Sequence, residues 1–275
     1  MRSLGGKRSS IGGRRVWCLS IMLLLPLSAA GQDAEDTFID PTRPSVSEGA
    51  TIQRAGVLQL EYGVDSDFRS PEFRSQQSGP LGIRFAVNDR LRLDLDVDTF
   101  VSQVDPERNR ISGVGDTSLG FKGIARDQPK ERLALAFNYS IKLPSASREK
   151  ELGSGRIDHT LRLILNRTLG ETDLVFNISY LNIGREDSDR RASGAQAIFT
   201  VERQLPKNFG IIGEVYGQSV DEPSAGARGI YTLGALTYKI NRRLRFDAGA
   251  RAGVGRDAPR VGVFAGLTVG VADLY

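Results

Sequence analysis

Few side chains in this 275-residue sequence are of the types that carry out catalysis or bind metals. His159 is the only histidine and Cys18 the only cysteine. A zinc site needs several such ligands, and a serine or cysteine nucleophile needs a neighbouring base. Asp94 and Asp96 share one strand face, but no recognisable acid or base partner accompanies them. We therefore expect no enzyme, no cofactor and no metal site.

Charged residues instead alternate with apolar residues along much of the chain. Within residues 91–98, leucine or valine occupies every odd position and arginine or aspartate every even position. A period of two is the mark of a β-strand whose two faces meet different surroundings. The alternation predicts twelve strands, at about 55–64, 79–88, 91–100, 115–125, 132–143, 156–167, 173–183, 194–205, 208–218, 229–240, 243–254 and 260–271.

The lengths and connections of these strands predict a membrane barrel. Most have 9–12 residues, and a tilted strand needs about 9–11 residues to cross a bilayer. Short connections such as 206–207 alternate with long hydrophilic ones such as 65–78, as the periplasmic turns and outer loops of outer-membrane barrels do. A soluble β-sandwich shows the same period, but strand length, connection parity and the charged face favour the barrel. We therefore predict an all-β fold, a twelve-stranded antiparallel transmembrane β-barrel over residues 55–275.

Strand parity also predicts which charged side chains line the lumen. Bases and acids occur there in similar numbers, which leaves two interpretations open: a polar channel with little ion selectivity, or side chains that only fill and brace the interior. Asp116, at the outer start of a strand, is a candidate ligand at the mouth; alternatively, its carboxylate closes a turn. The candidate lumen-lining residues are Glu61, Arg84, Arg92, Asp94, Asp96, Lys122, Arg132, Lys142, Arg156, Asp158, Arg162, Glu202, Glu214, Arg245, Asp247 and Arg251.

The first 31 residues have the order of a secretory signal peptide. A basic region precedes a 12-residue apolar run, Val16 to Leu27, and small residues follow it; a spanning helix needs about 20 apolar residues. This leader holds five bases and no acid, whereas the rest of the chain holds 32 bases and 33 acids. That balance argues against nucleic-acid binding. We expect a cleaved signal peptide over residues 1–31, an extended periplasmic lead-in over residues 32–54, and export to the outer membrane of a Gram-negative cell.

Three groups of residues resemble the motifs of a known family. Residues 113–122 (Gly-Val-Gly-Asp-Thr-Ser-Leu-Gly-Phe-Lys) resemble its GxGDxxLGxK signature. Residues 142–145 (Lys-Leu-Pro-Ser) and 153–158 (Gly-Ser-Gly-Arg-Ile-Asp) resemble the companion motif. Residues 42–45 and 56–61 resemble its opening, with Thr42 in place of the usual aspartate before Arg-Pro. Over about residues 40–275, the chain is similar to the outer-membrane family described as "putative MetA-pathway of phenol degradation".

The resemblance implies uptake of aromatic or other apolar compounds. We predict an outer-membrane channel for passive uptake of small solutes, with outer-membrane lipid and a small molecule as its partners. The first alternative is a structural or surface-interaction barrel whose lumen is plugged. The second is a lipid-modifying enzyme, since twelve-stranded outer-membrane phospholipases carry a catalytic serine two residues after a lipid-facing histidine. His159 has the lipid-facing parity, but position 161 is leucine.

Overall fold

The chain folds into antiparallel strands and their connections over the residues that the structure describes. The structure is a computed structural model and describes residues 38–127, 133–147, 150, 152–153, 155–185, 188–220, 228–255 and 258–275. No helix in these ranges is long and apolar enough to cross a membrane. The strands are β1 Val57–Phe68, β2 Ser75–Asn88, β3 Leu91–Val104, β4 Arg110–Gly113, β5 Thr117–Arg126, β6 Ala134–Leu143, β7 Asp158–Leu169, β8 Thr172–Gly184, β9 Arg191–Gln204, β10 Phe209–Gln218, β11 Gly229–Asn241, β12 Leu244–Val254 and β13 Val261–Asp273.

Twelve of these strands close into one barrel. Strands that follow one another in the ring pair antiparallel, and β1 pairs with β13 to complete it. The short β4 stands outside the ring, because it pairs only with the last four residues of β3, whose ring neighbour is β5. We call this end of the barrel, where the connections that the sequence predicts to face outward lie, the outer end. Closure leaves no unpaired sheet edge, which lipid could not satisfy. The predicted twelve-stranded antiparallel barrel is confirmed.

The observed strands begin and end within four residues of the predicted bounds. The largest difference is at the outer ends of β1, β2 and β3, which continue into segments predicted as loops. Asp65 pairs there with Ser78, and Phe68 with Ser75, so the connection between β1 and β2 shrinks to residues 69–74. A ladder of backbone hydrogen bonds needs no apolar face, so strands can extend beyond the point where the apolar alternation stops.

The two faces of the barrel differ as the alternation predicts. Leu93 and Leu161 point outward and expose 48% and 52% of their surface, as side chains that face acyl chains would. Their neighbours Arg92 and Asp94 are buried on the inner face. Successive side chains of a strand point to opposite faces, so this partition follows directly from the period of two.

The inner face also has apolar clusters that the sequence pattern did not predict. One consists of Ile124, Ala134, Ala136 and Ile164 on β5 to β7, with Ala50 from the N-terminal segment. A second joins Ile212, Leu233, Ala235 and Phe264 on β10, β11 and β13. Where both faces of a strand are apolar, alternation no longer distinguishes them, and only the pairing register shows which residues point inward.

The segment before β1, residues 38–56, lies inside the barrel; we call it the N-terminal arch. It begins with Phe38 packed beside Val57, rises to the middle of the lumen, and returns to Val57, whose backbone N–H donates to the carbonyl of Arg54 at 3.1 Å. It therefore lies deeper than the periplasmic lead-in predicted over residues 32–54, because its backbone groups find their partners on the inner barrel wall. The predicted signal peptide, and residues 32–37 of the lead-in, fall outside the described residues.

Candidate functional site

The rising limb of the arch is bound by two buried side chains of β1. The backbone N–H of Asp40 donates to Oε1 of Gln59 at 2.8 Å, and that of Thr42 donates to Oε1 of Glu61 at 2.8 Å. The Thr42 hydroxyl donates to the other Glu61 oxygen at 2.5 Å. Gln59 and Glu61 are buried. Thr42 thus supplies a hydroxyl donor to this carboxylate, whereas an ionised aspartate offers only acceptors.

The middle of the arch is bound by a carboxylate of β10, a strand four places from β1 around the ring. Glu214 on β10 accepts the backbone N–H of Val46 at 3.0 Å and of Ser47 at 3.1 Å, and the hydroxyl of Thr200 at 2.8 Å. Exposed backbone amides inside a barrel need such partners, and a carboxylate is the stronger kind of acceptor. The arch therefore spans the lumen from β1 to β10.

Arg43 lies across the barrel wall between these two anchors. Its guanidinium is 3.3 Å from Asp247 on β12 and 3.7 Å from Asp65 on β1. A Cβ atom at Gly63 would lie 2.3 Å from the guanidinium carbon, and one at Gly266 would lie 2.4 Å from Nε. Glycine at these two positions leaves the space that Arg43 occupies.

The descending limb is bound by amides of β7 and β8. Asn177 accepts the backbone N–H of Glu48 at 2.8 Å and donates to the Glu48 carbonyl at 3.0 Å. Asn166 accepts the backbone N–H of Ala50 at 3.4 Å. The arch thus has hydrogen-bond partners on β1, β7, β8 and β10.

The side chain of Glu48 joins the arch to cations from three strands. Its carboxylate is 2.8 Å from Arg92, 3.4 Å from Arg162 and 3.7 Å from Lys122. Burial raises the pKa of such a carboxyl, but Lys122, Arg92 and Arg162 outweigh burial and lower the pKa of Glu48 to about 2. Glu48 is therefore ionised at any physiological pH.

Most of the predicted lumen residues form ion pairs along the inner face. Arg92 donates to both oxygens of Asp94 at 2.6 and 3.1 Å. Arg84 pairs with Asp96, Arg245 with Glu202, and Arg251 with both Asp65 and Asp67, all at 2.5 to 3.0 Å. Arg156 differs: it precedes β7 and pairs with the exposed Asp189 at 3.2 Å, outside the strands. Arg132 lies outside the described residues.

Two adjoining cavities, of about 330 and 250 Å³, lie between the arch and strands β2 to β7. They share Thr42, Ser45, Arg84, Asp96 and Ser118, and together we call them the polar basin. Hydroxyls, an amide and charged groups of both signs line most of it, and Val46, Pro80, Leu81 and Val97 add an apolar part; no aromatic side chain lines it. Most of this space is suited to polar contacts.

The sequence of the chain decides its family. Residues 42–270 match the family described as "putative MetA-pathway of phenol degradation". The chain belongs to this family. No curated protein matches the chain.

Solved structures support the fold of this family member. The NanC porin has a TM-score of 0.53 and 9% identity, covering 78% of this chain and 100% of that chain. The KdgM porin has a TM-score of 0.51 and 9% identity, covering 78% and 99% respectively. At such identities the likeness concerns the fold, which is that of porin-like outer-membrane barrels.

The two downstream motifs of the family meet at the outer end of the barrel. Lys142 of the second motif is 3.2 Å from Asp116 of the first and 2.6 Å from Asp158. Asp116 also accepts the backbone N–H of Ala146 at 3.0 Å, and Asp158 that of Gly184 at 2.8 Å. The Asp116 carboxylate thus has partners within the chain, as the turn-closing alternative expects, and it also lines the smaller cavity; its role as a ligand at the mouth stays a prediction.

The residues relevant to lipid chemistry lie on the outward face. The hydroxyl of Tyr139 and Nδ1 of His159 are 2.7 Å apart. Ser193 on β9 pairs in register with Asn182 on β8, so it lies two strands away from His159 on β7. Its hydroxyl is 2.9 Å from that of Tyr180. Among the residues that the structure describes, the hydrogen-bond partner of the His159 ring is the Tyr139 hydroxyl and not a serine, the partner that a lipase nucleophile would supply. Among the described residues, no group of three His, Cys, Asp or Glu side chains is placed to hold a metal ion.

Proposed function

We propose that this protein is an outer-membrane channel for passive uptake of small polar solutes. The observation that carries the proposal is the polar basin inside a closed twelve-stranded barrel. Apolar residues cover the outward face and ion pairs line the inward face, which is the arrangement of a barrel with a hydrated interior.

The lining of the basin favours polar over apolar cargo. Six carboxylates and five cations line it, so it presents little net charge and many hydrogen-bonding groups. An apolar ring would remove water from these groups without replacing its hydrogen bonds, which is costly. The lining therefore favours a neutral polyol or a zwitterion over the aromatic compounds that the family name implies. The acids and bases are Glu48, Glu61, Asp94, Asp96, Asp98, Asp116, Arg43, Arg84, Arg92, Arg162 and Lys142.

The arch is the barrier to passage in this proposal. It crosses the lumen below the basin and is bound to facing strands by Glu61 and Glu214. A solute that enters from outside reaches the basin first and passes only when the arch shifts or leaves. The protein at rest is then a channel of low conductance, and variants with a weakened arch conduct more.

Liposomes test this function directly. Protein purified from the outer membrane is reconstituted, and the influx of arabinose, glycine and phenol is followed by swelling, beside a variant that lacks residues 38–54. We expect arabinose and glycine to enter faster than in protein-free liposomes, and faster still with the shortened variant. The proposed channel function would be wrong if neither protein allowed flux while heat-modifiable gel mobility showed that the barrel was folded.

The second candidate is a structural barrel with a filled lumen. The observation in its favour is the same arch, together with buried ion pairs such as Arg92–Asp94 and Arg92–Glu48. Buried pairs cost desolvation and often brace a structure without serving transport. This candidate predicts no flux even when the arch is removed, so the liposome experiment separates the two.

A further inference from the structure

A cavity outside the lumen lies at the outer end of the barrel and takes no part in the proposed channel. It has a volume of about 610 Å³ and is formed by the ends of three hairpins; small-molecule sites occupy about 300–1,000 Å³. Its lining is Phe68, Arg69, Ser70, Pro71, Phe73, Arg74, Pro106 and Val261.

The walls of this cavity are apolar and continuous with the lipid-facing surface. Phe68 and Val261 stand opposite each other at the last pair of the β1–β13 register, on the outward face, where they remain 36% and 45% exposed. Phe73 closes the far wall and is 7% exposed, although it lies in a connection. An apolar ligand would reach this site from the outer leaflet rather than from the lumen.

Two arginines stand at the rim of the cavity with their charges unpaired. Among the described residues, Arg69 and Arg74 form no salt bridge, and they hydrogen-bond only through the backbone. The backbone positions both: the N–H of Arg69 donates to the carbonyl of Arg74 at 3.0 Å, and the N–H of Arg74 donates to that of Val104 at 2.8 Å. Arg69 has φ 63°, the left-handed region that non-glycine residues seldom adopt.

We propose that this cavity, the outer-rim site, binds a phosphorylated amphiphile of the outer leaflet. The apolar walls receive the first part of an acyl chain, and Arg69 and Arg74 bind the phosphate. Arginine suits this role because its planar fork matches a phosphate and it stays charged. The charge of the ligand complements the two cations, and its chain continues into the bilayer at Phe68 and Val261.

Three probes, which carry an acyl chain, a phosphate or both, distinguish a lipid ligand from a soluble phosphate. Purified protein is titrated with palmitoyl lysophosphatidic acid, with monopalmitoyl glycerol, and with glycerol 3-phosphate, and bound adducts are counted by native mass spectrometry. We expect the phosphorylated lipid to bind at least about tenfold more tightly than either of the other two, since charge-assisted hydrogen bonds contribute that much.

Two cavity variants and a matched control test whether the lipid binds at the outer-rim site. Arg69→Gln with Arg74→Gln should lower the affinity for lysophosphatidic acid about tenfold, to that of monopalmitoyl glycerol. Val261→Trp fills the cavity from a lipid-facing position and should weaken both lipids, without affecting heat-modifiable gel mobility. The matched control, Arg108→Gln with Arg110→Gln, changes two arginines of the neighbouring hairpin that do not line the cavity and should leave binding unchanged.

Three results would overturn the proposal. Equal affinity for the two lipids would remove the role of the phosphate. Unchanged binding in both cavity variants would place the lipid elsewhere on the barrel. Glycerol 3-phosphate that binds as tightly as lysophosphatidic acid would make the ligand a soluble phosphate. None of these results depends on whether the lumen conducts.

Discussion

Glu214 and Ser47, 167 residues apart in the chain, meet in the middle of the barrel, where the carboxylate accepts the backbone N–H at 3.1 Å. The same carboxylate accepts the N–H of Val46. A strand side chain therefore satisfies two backbone amides of a segment that has no secondary structure of its own. This contact makes the arch part of the folded barrel.

Glu214→Gln should loosen the arch and raise conductance. A glutamine has one acceptor oxygen and places an NH₂ group against N–H and hydroxyl donors, so a charge-assisted hydrogen bond of about 1.5–3 kcal/mol is lost. We expect the open probability in single-channel recordings to rise about tenfold. Glu202→Gln is the matched control, since Glu202 faces the lumen from β9 but pairs with Arg245 and Gln204. Equal changes in both variants would contradict the assigned role of Glu214.

Closure by the arch should be constant near neutral pH and weaken only in acid. The pKa of Glu48 is about 2 in the folded protein, below its ordinary value of 4.5, because Lys122, Arg92 and Arg162 outweigh the effect of burial. A carboxyl whose pKa falls on folding stabilises the fold only while it is ionised. Its contribution is complete above about pH 4.5 and is lost as the pH falls to about 2.

Recordings from about pH 8 down to about pH 3 test this expectation. We expect conductance to rise only below about pH 4.5, and Glu48→Gln to remove most of that rise by opening the channel at every pH. Asp40, the other carboxylate near Arg92 and Lys122, serves as the comparison in Asp40→Asn. A conductance step near pH 6 in the native protein would assign gating to some other group.

Gly63→Ala should displace Arg43 without disturbing the barrel. The atoms nearest to an added Cβ at Gly63 are the guanidinium atoms of Arg43, the first at 2.3 Å, and these lie at the end of a flexible side chain. We expect faster hydrogen–deuterium exchange of the backbone amides of residues 42–48, detected by mass spectrometry, with unchanged heat-modifiable mobility. Gly213→Ala, where an added Cβ meets nothing within 4 Å, should exchange at the native rate. Equal rates in all three proteins would mean that Arg43 does not hold the arch.

Lys142→Met should destabilise the outer end of the barrel by about 3 kcal/mol, because it leaves the carboxylates of Asp116 and Asp158 without their shared cation. Urea unfolding in detergent measures the change. Adding Asp158→Asn to Lys142→Met should recover part of the loss, since one uncompensated charge is removed. A double variant that is no more stable than the single one would show that the pair does not act through charge.

The strand pattern was predictable from the sequence. The alternation predicts which face of the strand residues such as Leu93 and Asp94 occupy, because adjacent side chains of a strand point in opposite directions whatever the rest of the chain does. The alternation thus predicted the twelve ring strands within four residues at each end, and the motif residues predicted the family. It also predicted that Arg84, Arg92 and Asp94 share one strand parity, and the structure shows all three buried.

The tertiary structure alone decided what fills the lumen. Residues 38–56 have no periodic pattern, and two of the groups that bind them, Glu214 and Asn177, are 129 or more residues away in the chain. Likewise, Lys142 meets Asp116 and Asp158 only because the register places β5, β6 and β7 side by side. Local alternation is a property of a single strand, whereas these contacts arise only when strands pair in register and the closed ring brings distant parts of the chain together.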